Sequence, residues 1–160
     1  MFHELQAHKL LVNGKKSEIF LEEIHYLGHI ISKDGIRMAP AKIKAIQEWP
    51  ELRTVHEIRS FLGLCSYYWR FIRHFAEIAA PLHDLSKKNS VFRWGERQKT
   101  AFLTLKEKLT TESILVVLDL YKSFEVHCDA CEECIGAALH QDGHVVAYES
   151  RRLQNAEKHM

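Results

Sequence analysis

In Ser123-Phe124-Glu125-Val126-His127-Cys128-Asp129-Ala130, apolar Phe124, Val126, Cys128 and Ala130 alternate with polar Glu125, His127 and Asp129. A period of two predicts a β-strand with one face on a core. Two further strands follow, 135–141 and 144–150, joined by Asp142-Gly143, a two-residue hairpin signal. Gly136, Ala137 and Ala138 leave room for close backbone approach. A three-stranded meander without a covering layer is not a finished domain. Asp129, at the end of the first strand, is placed as strand-end acids are when they ligate a metal. The simpler alternative is a solvated acid.

Upstream of this meander the pattern turns helical. Glu96 to Leu109 carries an apolar stripe of Ala101, Phe102, Leu105 and Leu109, with Lys99, Lys106 and Lys108 assigned to a basic outer face. Thr54-Val55-His56-Glu57 fits a capping box, and Ile58, Phe61, Leu62 and Cys65 continue one stripe behind it. Pro40 opens an earlier helix with Ile43, Ile46 and Trp49 at helical spacing, and Pro50 closes it. Residues 67–76 interleave aromatics with Arg70, Arg73 and His74. Phe71, Ile72 and Phe75 are assigned to a core. Tyr67, Trp69, Arg70 and Arg73 stay open between core and nucleic-acid contact, since aromatic rings beside cations suit base stacking and phosphate binding. Residues 81–90 read as a loop or a short helical turn, and 114–117 as a short extended run. At the N-terminal end, 3–12 reads as the end of a helix closed by Asn13-Gly14. Lys16–Leu21 and Ile24–Ser32 read as strands, with Asp34-Gly35 as a turn. Asn155 to Lys158 could begin another helix.

Composition narrows the class. The chain has 160 residues, 46% of them hydrophobic, and a net charge of +1. Length allows one domain or two small ones. No apolar run is long enough for a membrane span, and residues 1–14 lack a secretory apolar core. The expectation is an intracellular protein, in cytoplasm or nucleus, with reduced thiols and no membrane partner. Residues 81–110 carry seven lysines and arginines against three acids, whereas 111–160 carry four against nine. A basic middle beside an acidic tail suits a phosphate-tracking surface next to a cation site. Cys128, Cys131 and Cys134 have C-x2-C-x2-C spacing, but an iron–sulfur run needs a fourth cysteine that is missing here. A zinc site would need His127 or His140 as the fourth ligand.

These segments, in order, resemble the Pol polyprotein of Ty3/gypsy long-terminal-repeat retrotransposons and the related retroviral reverse transcriptases. Tyr26-Leu27-Gly28-His29-Ile30-Ile31-Ser32 with Asp34-Gly35-Ile36 looks like the family's YLGHxIS segment, and Lys42 to Pro50 like its next helix. Arg59 to Leu64 and Tyr67-Tyr68-Trp69-Arg70-Phe71-Ile72 are similar to the thumb signature. Phe92, Trp94, Ala101-Phe102 and Leu105-Lys106 look like the lead into ribonuclease H. Phe124–Ala130, Ile135-Gly136-Ala137 and Asp142 to Arg151 resemble that domain's opening. Ser17, Ile19, Ser66, Trp69 and Cys131 depart from the family's usual residues.

The resemblance implies an α+β chain in three parts. Residues 1–39 would be the C-terminal end of a reverse transcriptase palm, 40–90 a helical thumb, and 91–160 the connection plus the first part of a ribonuclease H-like mixed sheet of three antiparallel strands. It implies nucleic-acid contacts at Tyr26, Leu27, Gly28 and His29, the primer-grip region, and at Tyr67, Arg70 and Arg73. It implies Asp129 as catalytic acid and metal ligand, Mg2+ as cofactor, and an RNA/DNA hybrid or primer–template duplex and the rest of the polyprotein as partners. The parent would be an RNA-directed DNA polymerase and hybrid-specific endonuclease. The polymerase Asp-Asp motif falls before residue 1 in the family and the other ribonuclease H acids beyond Met160, while Glu132, Glu133 and Asp142 match no catalytic position. Two-metal phosphoryl transfer needs several carboxylates, so the segment alone is expected to be inactive. A non-catalytic duplex-binding module and a decayed copy are the alternatives.

Overall fold

The computed structural model describes residues 2–88, 90–111, 114–154 and 157. After a short helix α1 (Phe2–Ala7), three strands β1 (Glu23–Tyr26), β2 (His29–Ser32) and β3 (Gly35–Met38) form an antiparallel sheet in sequential order. The helices α2 (Pro40–Gln47), α3 (Val55–Tyr67), α4 (Phe75–Ser86) and α5 (Glu96–Thr110) follow, with a 3-10 turn at Trp69–Phe71. A second antiparallel sheet, β4 (Glu125–Ala130), β5 (Cys134–Gln141) and β6 (His144–Arg152), closes the order. Both sheets are fully antiparallel, and the second is the expected meander of three antiparallel strands. The architecture is α+β. No helix among the described residues is long and apolar enough to cross a membrane.

One core holds the helices together. Ile46, Ile58, Phe61, Cys65, Ala79, Leu82 and Leu105 are fully buried. Phe61 lies between Trp49 and Phe102, with ring centroids 5.7 and 4.8 Å away. Burying a side chain of that size removes enough apolar surface from water to be worth about 1.5–3 kcal/mol. Thr54 caps α3 as its sequence requires, its hydroxyl accepting from the Glu57 N–H at 3.2 Å. The return bond lands one residue early: the Glu57 carboxylate accepts from the Arg53 N–H at 2.7 Å.

Several expectations are corrected. The N-terminal helix ends at Ala7 rather than continuing to residue 12. Residues 16–21 form no strand, because Phe20 adopts φ 62° and breaks the extended run. The stretch 24–32 is two strands, folded back at Leu27 (φ 49°) and Gly28 (φ 83°), the left-handed pair a tight hairpin demands. Residues 81–86 continue α4 through Pro81. The proline forfeits one backbone bond, but Phe75, Ala79, Leu82 and Leu85 all bury on the same stripe and hold the helix. Lys106 leaves the outer face: its Nζ donates to the Trp49 carbonyl at 2.8 Å and lies 5.2 Å from the Phe102 ring centre.

The largest correction concerns the strand that opened the sequence reading. All six residues of β4 are exposed, with Val126 at 57%. The alternation is real, but among the described residues no core lies against β4. Leu115 bridges Ile36 of β3, and the next residue, Val116, donates its N–H to Val145 of β6 at 2.9 Å. The expected extended run at 114–117 is thus a strap between the two sheets. The helix anticipated from Asn155 to Lys158 lies, apart from Glu157, outside the described residues.

Candidate nucleic-acid and metal sites

The expected contact residues fall in two places. At the first, the β1–β2 hairpin docks on the end of α3. Tyr67 donates its hydroxyl to the Leu27 carbonyl at 2.8 Å, and Tyr68 donates to the Gly28 carbonyl at 3.3 Å. His29 stacks on Tyr67 and Phe71, with centroids 5.3 and 5.7 Å away, and meets the edge of Tyr68. Its Nδ1 is buried with no hydrogen-bond partner among the described residues. Burial holds its pKa below the ordinary 6.5, because a desolvated imidazole resists protonation. Gly28 is required twice. Its φ is positive, and a Cβ there would sit 2.6 Å from the Tyr68 hydroxyl. Tyr26, Leu27 and Tyr67 keep 59%, 67% and 48% of their surface exposed. The tip therefore presents two aromatics and a leucine on a pinned backbone.

The second place surrounds Asp129. A cavity of about 370 Å3 is lined by Asp129, Arg73, His74, His127, His140 and Glu149, among others. Asp129 faces Gly136 across the β4–β5 ladder, and Gly136 in turn faces Ser150 of β6. His74 covers that glycine, its Nδ1 3.3 Å from where a Cβ would stand. Ser150 accepts from the Ala76 N–H at 2.9 Å, which ties the sheet to the start of α4. The His127 ring meets His140 edge-on at 4.6 Å and lies 3.2 Å from the Glu125 carboxylate.

The two arginines separate. Arg73 joins the Asp129 cavity. Arg70 lies over the Trp69 ring, 5.4 Å from its centre, and lines a groove with Val126 and Leu139 on the apolar side of the sheet. Tyr68 joins the first place beyond the expected contact residues, and His74 and His140 join the second in roles other than the ones the sequence suggested for them. Tyr68 carried a signal, as the second tyrosine beside an aromatic run. His74 stood out only as a cation among aromatics and His140 only as an alternative zinc ligand, and neither spacing pointed to Asp129.

The donors at this cavity do not by themselves suit Mg2+, which takes octahedral oxygen ligands. Asp129 and Glu149 are the carboxylates named in its lining, and strand alternation puts them on opposite faces: one faces Gly136, the other Ala137. The remaining donors are imidazoles and a guanidinium. Among the described residues, no three His, Cys, Asp or Glu side chains converge on a point where a metal would bind. The three cysteines divide too. Cys131 and Cys134 line a small cavity that includes neither Cys128 nor the two histidines of the zinc alternative.

The comparisons with known proteins agree with this architecture. Residues 94–160 match the model of the RNase H-like domain found in reverse transcriptase. The structure is similar to a foamy viral protease–reverse transcriptase in complex with an RNA/DNA hybrid, with a TM-score of 0.77 at 24% identity. The match covers 90% of this chain and 20% of that one. By fold, the chain is therefore similar to part of a reverse transcriptase. In sequence it is 40% identical over 159 residues to the retrovirus-related Pol polyprotein from transposon gypsy of Drosophila melanogaster, covering 92% of this chain and 15% of that protein. It is also 41% identical over 121 residues to an uncharacterized mitochondrial protein of Arabidopsis thaliana, covering 74% of this chain and 76% of that one. The chain belongs to the gypsy-type retrotransposon Pol polyprotein family. It spans 13–15% of the length of the transposon polyproteins gypsy, 297 and 412.

Proposed function

We propose that this segment carries the end of the palm (1–39), the thumb (40–90), and the connection with the opening of ribonuclease H (91–160) of a reverse transcriptase that copies RNA into DNA and degrades the RNA strand. The observation that carries the reading is the match to Pol polyproteins along nearly the whole chain. The hairpin tip supports a primer-contacting role for Tyr26, Leu27, Gly28, His29 and Tyr67. Its aromatics are exposed, and its backbone is fixed by two tyrosine hydroxyls. Arg73 and Arg70 supply positive charge for a duplex backbone, the sequence-independent part of nucleic-acid affinity.

Asp129 is assigned as a divalent-metal ligand, with Mg2+ as the cation, in a site completed by carboxylates elsewhere in the polyprotein. Two cations held together stabilise the attacking and leaving oxygens of phosphoryl transfer, and one acid does not hold two. Alone, this segment should not cleave a hybrid. In the intact parent, Asp129→Asn should remove hybrid cleavage by two or more orders of magnitude and spare polymerisation. Undiminished degradation of the RNA strand by that variant would refute the assignment.

A second reading, duplex binding without cleavage, is favoured by the exposed tip. It predicts that the affinity of this chain for an RNA/DNA hybrid falls steeply with salt and drops further with Arg73→Ala. A flat salt response would remove it.

A further inference from the structure

Cys131 and Cys134 are absorbed by none of the roles above. They flank the β4–β5 turn. The ladder runs to Ala130 opposite Ile135, so the next facing pair is Cys131 and Cys134. The Cys131 N–H donates to the Cys134 carbonyl at 2.9 Å. Facing residues of an antiparallel ladder have Cα atoms about 4.5–5.5 Å apart, inside the roughly 4.4–6.8 Å a disulfide spans. Both side chains line one cavity of about 40 Å3 with His74, Glu77 and Asp129.

From this geometry we infer that Cys131 and Cys134 form a reversible disulfide across the β4–β5 turn when the chain meets a peroxide. The two thiols are unequal in a way that sets the order of events. Cys131 is exposed and Cys134 is buried. The exposed sulfur is the one a peroxide in solvent reaches, so Cys131 is the thiol that meets the oxidant. Its thiolate attacks the peroxide oxygen, breaks the O–O bond and becomes a sulfenic acid, releasing water. The Cys134 sulfur then attacks that sulfur, the S–S bond forms and a second water leaves. Two thiols are oxidised and one peroxide is reduced.

The other two cysteines are excluded on position. Cys128 faces Ala137, and strand alternation puts it on the opposite side of the sheet from Asp129. Cys65 is fully buried in the helical core, and burial pushes its pKa up to about 12. The staple would close over Glu132 and Glu133. Glu133 is already held by the Leu153 N–H at 2.7 Å on its carbonyl, and its carboxylate lies 3.5 Å from Arg152. Oxidation would therefore fix a turn that begins two residues after Asp129.

The test uses the whole chain, stripped of metal with a chelator and treated with a small excess of hydrogen peroxide. Two of the four thiols should be lost and should return with dithiothreitol. An endoprotease that cuts after glutamate cleaves between the two cysteines, so their peptides stay joined in the mass spectrum only if the bond has formed. The joined species should persist in Cys128→Ser and vanish in Cys131→Ser. A joined species that needs Cys128, a dimer linked between chains, or irreversible oxidation of Cys131 with Cys134 left free would each overturn the inference. So would two thiols that become reactive only after the chelator removes bound zinc.

Discussion

The helical middle and the C-terminal meander were equally periodic in sequence, and they differ sharply in burial. In α3, the four stripe residues Ile58, Phe61, Leu62 and Cys65 are all buried. At β4, Phe124 just before the strand and the alternating Val126 and Cys128 within it are all exposed. An amphipathic pattern records which face is apolar. Whether something covers that face is a separate fact, supplied by neighbours. The stripes of α3, α4 and α5 pack on one another. Val126 and Leu139 line an open groove.

The contrast can be broken by mutation. Phe61→Ala removes a fully buried ring set between Trp49 and Phe102. It should cost about 3–5 kcal/mol, read as a lower urea midpoint at unchanged slope. Gly28→Ala should cost about 1–3 kcal/mol through its positive φ and the clash with Tyr68. The loss should appear as faster amide exchange in β1 and β2, with the helices unaffected; uniform destabilisation would show that the hairpin is part of the helical core. Arg152 joins α4 to the β4–β5 turn, bonding Asp84 at 2.9 Å and Glu133 at 3.5 Å. These are half-exposed pairs, so Arg152→Ala should cost at most about 1 kcal/mol, and less in high salt. Val126→Ala should cost less than about 0.5 kcal/mol, as expected for an exposed site. A loss approaching that of Phe61→Ala would mean that the sheet face is covered in solution and that the contrast fails.

Much of this fold was legible. Thr54, the α5 stripe and Asp142-Gly143 each behaved as their chemistry predicts, because capping, helical spacing and left-handed turns are local. What failed depended on distant partners. Residues 81–90 read as a loop or a short helical turn, yet the burial of Ala79, Leu82 and Leu85 against other helices outweighs the one bond Pro81 forfeits. Leu27-Gly28 was passed over because leucine is an unusual residue at positive φ. It is held there by the Tyr67 hydroxyl, 40 positions away. The sites divide similarly. Asp129 was visible as a strand-end acid. Its company of Arg73 and His74 follows from how the start of α4 meets the sheet, and that of His140 from the β4–β5 register, neither of which periodicity encodes.

The strap at Leu115–Val116 has a consequence for cooperativity. Leu115 exchanges hydrogen bonds of 2.7 and 2.9 Å with Ile36, and Val116 donates to Val145. A segment bonded on one side to the first sheet and on the other to the last joins Ile36 to Val145, 109 positions apart in the chain. Neither sheet can open at that edge without breaking bonds that also brace the other. The amides of Ile36, Leu115 and Val116 should then exchange with one common opening free energy, as a single unit that spans both ends of the chain.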